Sequence, residues 1–298
     1  MAKIVECIPN FSEGRNKENI EALATVAKSV TGVALLDYSA DFNHNRSVYT
    51  LIGDPEGIAD AAFQLCKKAS ELIDMTKHIG EHPRMGATDV IPFVPIRDVS
   101  MDECIDISEQ VARRIWLELG IPVFLYEYSA SSGIRRNLAE VRKGGFEGMN
   151  EKLQLDEWEP DFGERKVHPT AGITAVGARS PLIAFNVNLD SSNLDIAKII
   201  ANKIRGSSGG FEACKAIGIM LGDRNIAQVS MNFVNTEITP LYEVFDVIKH
   251  EAKCYGVEIL GSELIGLASA KALIDCTEHY LKIENFDYKR QVLENHFN

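Results

Sequence analysis

The stretch "HIGEHPRMG", His78 to Gly86, gathers two imidazoles, an acid and a guanidinium. Such a set can hold a metal, move a proton, or simply shape a polar turn. His78 and His82 have the i, i+4 spacing that puts two metal ligands on one helical face. Gly80 between them opposes a helix, as does Pro83, which drives His82 towards extended backbone. The order is not HExxH and no further His/Cys cluster lies nearby, so no metal is expected. A helix-to-strand loop in which His82 is merely hydrogen-bonded stays open. The functional reading rests on Gly80 and Gly86, which bracket the group and permit a shaped backbone of close approach. An imidazole of ordinary pKa about 6.5, beside a cation and an acid, can take and give protons near neutral pH.

Around this loop the chain reads as alternating elements. "KIVECI" is a strand and Lys17 to Val30 a helix, followed by the strands "VALLDY" and "RSVYTLIG" across "SADFNHN". Asp54 and Pro55 start a helix that runs to about Met75, by side-chain capping and a preset first turn. "ATDVIPFVPI" is the next strand, then a helix from Met101 to Gly120 and the strand "IPVFLYE". The second half repeats the order with "PLIAFNVNL", a helix, the pair "AIGIMLG" and "AQVSMNFV", a helix from Thr239-Pro240 to Cys254, and "GVEILG". Both halves read β-α-β-β-α-β. The expected fold is α+β, two ferredoxin-like subdomains over 1–178 and 179–298, with sheets facing each other, helices outside, and a ligand cleft between. A polar segment from Arg135 to Pro169 is extra, and "KVHPTAGITAVGARS" is read as joining the halves. "NFSEGR" is read as a helix start at Ser12 or the following Gly-Arg, and the C-terminal segment as helix-forming.

Six scattered cysteines without a CxxC pair suit reduced thiols in a cytoplasmic protein. A net charge of −12 argues against general nucleic-acid or anionic-membrane binding. No apolar run approaches the roughly 20 residues of a membrane span, and the N-terminus lacks the pattern of a signal peptide. "RGSSGGFE" is a glycine-rich turn without the Gly-Lys-Ser/Thr ending of a phosphate loop.

Five stretches in order, "ECIPNFSEGR", "NRSVYTLIG", "GEHPRMGATDVIPFVP", "WEPDFGERKVHPTAGITAVGAR" and "FNVNL", resemble the glutamate formiminotransferase family. The resemblance spans nearly the whole chain and leaves no room for the cyclodeaminase region of the bifunctional members, implying a stand-alone transferase. It implies transfer of a formimino group from N-formimino-L-glutamate to tetrahydrofolate as co-substrate, late in histidine breakdown, by a homodimer. It makes His82 the catalytic histidine, with Glu81 or another carboxylate setting its tautomer. It maps the folate-binding loop onto Gly163, Glu164, Arg165, Lys166, Val167, His168, Pro169, Thr170, Ala171 and Gly172, where Arg165 and Lys166 offer charge to a glutamate tail. Bifunctional members carry mostly uncharged residues there and a Trp before the second glycine, from which "ERKVHPTA" departs. They also carry an acid where Ser39 stands, which makes Asp41 the nearest substitute.

The donor brings two carboxylates, so Arg46 and Arg84 are candidate clamps, with Asn10, Asp41 and Asn45 as further substrate contacts. For Arg46 a structural ion pair stays equally open. Alternative functions are formyl transfer between 5-formyltetrahydrofolate and glutamate, and non-catalytic folate binding. RNA binding by paired ferredoxin-like domains would want basic sheets with exposed aromatics, which the sequence lacks.

Overall fold

A computed structural model describes residues 3–42, 44–80, 82–222 and 224–296. The chain is a mixed α/β protein with two sheets, and it divides into two units, residues 1–180 and 181–298.

The first unit runs β1 (Ile4–Cys7), β2 (Asn10–Phe11), α1 (Lys17–Ser29), β3 (Val33–Asp41), β4 (Arg46–Gly53), α2 (Pro55–Leu72), β5 (Thr88–Arg97), α3 (Met101–Leu119), β6 (Val123–Leu125), α4 (Leu138–Arg142), α5 (Gly145–Lys152) and β7 (Thr174–Ala178). β1 and β2 are successive pieces lying between β4 and β5, β3 lies outside β4, and β7 and β6 extend the far side. β5, β7 and β6 are parallel and the rest antiparallel. Period-two alternation sends Val5, Cys7, Tyr49, Leu51, Ile91 and Phe93 into one core with α1, α2 and α3. On the other side Val90, Phe124 and Ala175 join Val141, Met149, Leu153 and Trp158 in a second cluster.

The helix ends are chemically explicit. Asn16 caps α1, Asp54 with Pro55 starts α2, a Ser100–Glu103 capping box starts α3, and Gly120 ends it in the left-handed region. Ser12 is not the α1 cap; its hydroxyl instead donates to the Gly86 carbonyl at 2.8 Å.

One expectation needs correction. The segment "KVHPTAGITAVGARS" is not merely a connection, because its second half is β7, buried between β5 and β6. Small residues (Ala175, Gly177, Ala178) hide this from pattern reading, yet they suit a strand pressed against others: a Cβ on Gly177 would stand 2.3 Å from the Tyr126 carbonyl oxygen. The polar segment 135–169 contributes Val141, Met149, Leu153, Trp158 and Val167 to the second cluster. Its anchor is buried Arg135, which donates to Asp161 at 2.8 Å and to the carbonyls of Glu157 and Glu159.

The second unit runs β8 (Ile183–Leu189), α6 (Leu194–Ile204), β9 (Cys214–Leu221), β10 (Ile226–Phe233), α7 (Leu241–Cys254), β11 (Ile259–Ile265), α8 (Ala270–Leu281) and α9 (Tyr288–Gln291). Its antiparallel sheet has the order β11-β8-β10-β9. Val187, Leu189, Val229 and Phe233 pack on α6 and α7, while Asn188, Gln228 and Glu263 hydrogen-bond one another on alternate positions. The two halves share more than pattern. The β3–β4 and β9–β10 hairpins each end on an asparagine at positive φ, Asn45 at 49° and Asn225 at 51°. Asparagine tolerates that region better than most residues.

Candidate active site

His82 stands in the α2–β5 connection, where the residues that follow, "RMGA", are held by backbone as much as by side chains. Ala87 donates to the Ala171 carbonyl at 2.8 Å, Ile173 to that of Met85 at 3.0 Å, and Ser12 to that of Ala87 at 2.9 Å. The approach needs glycine on both sides. A Cβ on Gly86 would lie 2.2 Å from the Ile173 oxygen, and one on Gly172 2.3 Å from the Met85 oxygen. The segment 163–172 is thereby zipped at its end to the histidine loop.

At the centre, an Nη of Arg46 donates to His82 Nε2 and the other to Asn10 Oδ1. A guanidinium only donates, so Nε2 must be the accepting nitrogen and the neutral ring carries its proton on Nδ1. Nδ1 is buried without a hydrogen-bond partner among the described residues, as is Arg46 Nε. Arg46 is brought here by its place at the start of β4, opposite Asp41 of β3, and Asn10 by pairing with Val48. No described carboxylate forms an ion pair with Arg46.

Two residues outside the sequence-based set complete the electrostatics. Arg142, at the end of α4, has its guanidinium 2.5 Å from Asp89, whose side chain is 2% exposed. The contact has ion-pair distance but not hydrogen-bond alignment, so Asp89 Oδ2 and Arg142 Nη2 keep unused hydrogen-bonding capacity. The other Asp89 oxygen accepts from the Met85 amide at 3.1 Å. Among the described residues, two cations and one acid therefore act on His82. Burial first, then Arg46 and Arg142, pull its pKa down to about 4, with Asp89 and the Pro83 backbone opposing. Burial and Arg142 likewise lower Arg46 to about 10.

The other expected contacts separate into distinct roles. Arg84 grips Glu147 of α5 with both Nη groups, at 2.9 and 2.6 Å, and donates through Nε to His78 Nδ1 at 3.1 Å. Its charge is already matched within the fold. His78 in turn reaches the Asn45 carbonyl at 2.9 Å, and burial lowers its pKa. Asn45 is a latch, accepting from the Gly14 amide at 2.9 Å and donating to the Ile79 carbonyl at 3.1 Å. Asp41 is exposed and accepts from the His44 amide at 2.7 Å. Glu81 lies outside the described residues.

In the segment 163–172, Gly163 takes φ 124° and Gly172 φ 73°. Arg165 bridges Asp156 and Glu159 at 2.8 and 3.1 Å, whereas Glu164, Lys166 and Pro169 are exposed. Val167 is buried in the second cluster, His168 Nδ1 accepts from the Ala171 amide at 3.0 Å, and the Thr170 carbonyl accepts from Met75 at 2.8 Å. Of the residues marked in the sequence, His82, Arg46 and Asn10 meet directly. Asp89 stood inside a motif already quoted, but an acid followed by a strand carries no sign of its partner. Arg142 gave no signal at all.

The site is thus a neutral imidazole and a guanidinium without an acid partner among the described residues, on one unit of a two-unit α/β protein, a combination suited to an anionic ligand and a proton transfer. Comparison with known proteins is consistent with that class. Residues 4–179 match the family described as formiminotransferase domain, N-terminal subdomain, and residues 184–295 match the formiminotransferase domain. The chain is 67% identical over 296 residues to a glutamate formimidoyltransferase of Streptococcus pyogenes serotype M1, covering 99% of both. It is 44% identical over 286 residues to one of Thermoplasma acidophilum, covering 95% of this chain and 94% of that one. A formimidoyltransferase-cyclodeaminase of Gallus gallus is 44% identical over 290 residues, which make up 95% of this chain and 53% of the bifunctional protein. The chain belongs to the formiminotransferase family.

Proposed function

We propose that the protein transfers the formimino group of N-formimino-L-glutamate to tetrahydrofolate, giving L-glutamate and 5-formiminotetrahydrofolate, a reaction of histidine degradation and one-carbon metabolism. The observation that carries the reading is Arg46: a cation without an acid partner among the described residues, resting on the ring nitrogen of His82. Family membership supplies the substrate class, since the relatives of matching length are glutamate formimidoyltransferases. The strand order β11-β8-β10-β9, and β5-β1-β4-β3 in the first unit, supports reading both halves as ferredoxin-like.

In the free protein the basic lone pair of His82 is covered by Arg46. A donor carboxylate is the natural partner for that guanidinium, and planar bidentate pairing draws it off the ring. The imidazole is then an uncovered base with one cation neutralised. N5 of the folate attacks the amidine carbon, forming the N5–C bond, and gives its proton to His82. The tetrahedral intermediate collapses with cleavage of the bond to the glutamate nitrogen, which leaves with the bonding pair and gains a proton. Lys166, exposed and without an ion pair among the described residues, is the free cation of the segment 163–172 for a folate glutamate tail, Arg165 being shared with Asp156 and Glu159.

The test is transfer from formiminoglutamate to tetrahydrofolate, scored as the methenyl form after acid, for the native protein and His82→Ala. Product from the native protein and almost none from a folded, folate-binding variant supports the reading. Full activity in the variant removes His82 from the chemistry. Activity only with 5-formyltetrahydrofolate and glutamate would replace the donor.

A further inference from the structure

The proposed reaction needs two proton transfers, one from the folate nitrogen and one to the departing glutamate nitrogen, and His82 has one accepting nitrogen for the first. A second imidazole stands beside it. The rings of His44 and His82 are 5.8 Å apart between centroids and meet edge to face at 68°. His44 lies in the β3–β4 turn, two residues before Arg46, and its side chain is 50% exposed, so a ligand can reach it from solvent. Asp41 holds it from below the turn: one carboxylate oxygen accepts the His44 amide at 2.7 Å, and the other lies 3.6 Å from Nδ1. Asn45 then ties the turn to Gly14 and Ile79 by hydrogen bonds.

We infer that His44, oriented by Asp41, is the general acid that protonates the leaving glutamate nitrogen, while His82 is the base that deprotonates the attacking folate nitrogen. The environments divide the roles. His82 is withdrawn from water among cations, which disfavours its protonated form, whereas His44 faces solvent with the Asp41 carboxylate 3.6 Å from Nδ1. The proton count closes. N5 loses one proton to His82, the glutamate nitrogen gains one from His44, and solvent carries a proton from His82 back to His44 between turnovers. No oxidant or further reactant is needed. Asp41 is a positioning residue here and touches no substrate.

The inference rests on the transferase reading, and the experiment separates the two. Turnover and donor KM are measured for the native protein, His44→Gln, His44→Ala and Asp41→Asn, together with tetrahydrofolate affinity by equilibrium binding. General acid catalysis contributes typically 10²–10⁴-fold, so His44→Gln is expected to lower kcat by about 100-fold with folate affinity unchanged. Asp41→Asn lowers it by about tenfold, through loss of orientation. Added imidazole is expected to restore turnover to His44→Ala. A structural role would give no rescue. Native turnover in His44→Gln, or a loss in His44→Ala that imidazole leaves unchanged, overturns the assignment while the transferase stands. No product from the native protein overturns both.

Discussion

The carboxylate of Asp89 and the guanidinium of Arg142 lie 2.5 Å apart, one from the start of β5 and the other from the end of α4, and both act on the charge of His82. The pair fixes the charge of the site. Arg142 brings a second cation, and Asp89 cancels one of the two. Removing one partner of a buried pair leaves an uncompensated charge, which costs about 3–5 kcal/mol. Asp89→Asn is therefore expected to lower unfolding free energy by about that amount, measured as a shift in denaturant midpoint.

His82 sets a pH dependence whose sign follows from its depressed pKa. The unfolded imidazole has a pKa of about 6.5, and the folded one is pulled down to about 4 by burial and the two arginines. Between those values the unfolded state binds more protons, so stability is complete above about pH 6.5 and is lost as the pH falls towards 4. The native protein should lose more stability than His82→Gln on acidification from pH 7 to 4. An equal loss in both proteins would contradict this.

Arg46 should couple ligand binding to that same titration. Glutamate, the expected product, places a carboxylate on Arg46 and cancels part of its field. The His82 pKa, followed by NMR of its ring protons, is expected to rise from about 4 on addition of glutamate. Arg46→Gln should raise it without ligand and weaken donor binding by about tenfold or more, in line with the roughly 1.5–3 kcal/mol of a charged hydrogen bond.

Arg84 is expected to behave as a structural residue. Its bidentate partner Glu147 is 64% exposed, so the pair contributes about 1 kcal/mol. Glu147→Gln and Arg84→Gln should lower stability alike and leave donor KM close to native. A large KM increase confined to Arg84→Gln would restore it as a substrate clamp.

Gly86→Ala tests the close approach of two chain segments. The added Cβ would meet the Ile173 carbonyl oxygen at 2.2 Å, and backbone on both sides has no flexible end to move. Overpacking typically costs about 1–3 kcal/mol, and the strain falls on the hydrogen bonds that hold 171–173 to 85–87. A lowered midpoint with slower transfer is the expected result.

Elements governed by neighbouring residues were legible in the sequence. The Asp54-Pro55 start of α2, the span of β4 from Arg46 to Gly53, and α3 ending at Gly120 depend on capping, alternation and backbone preference, all of which act over a few positions. His82 and Arg46 could be marked because their stretches resemble those of a known family, the residues of the His82 loop alone leaving a structural role open. Whether either charge was free could not be read that way. Arg84 and Arg46 look equally suited to a carboxylate in sequence, yet α5 presents Glu147 to one and no described acid pairs with the other. The same holds for β7, whose small residues become a strand only between β5 and β6, and for Arg142, Asp89 and His44, which matter through what lies across the chain from them. Local order is set by bonds and sterics within a turn or two of the chain. The charge state of His82 depends on residues 36 and 60 positions away (82 − 46 and 142 − 82), and only folding brings those together.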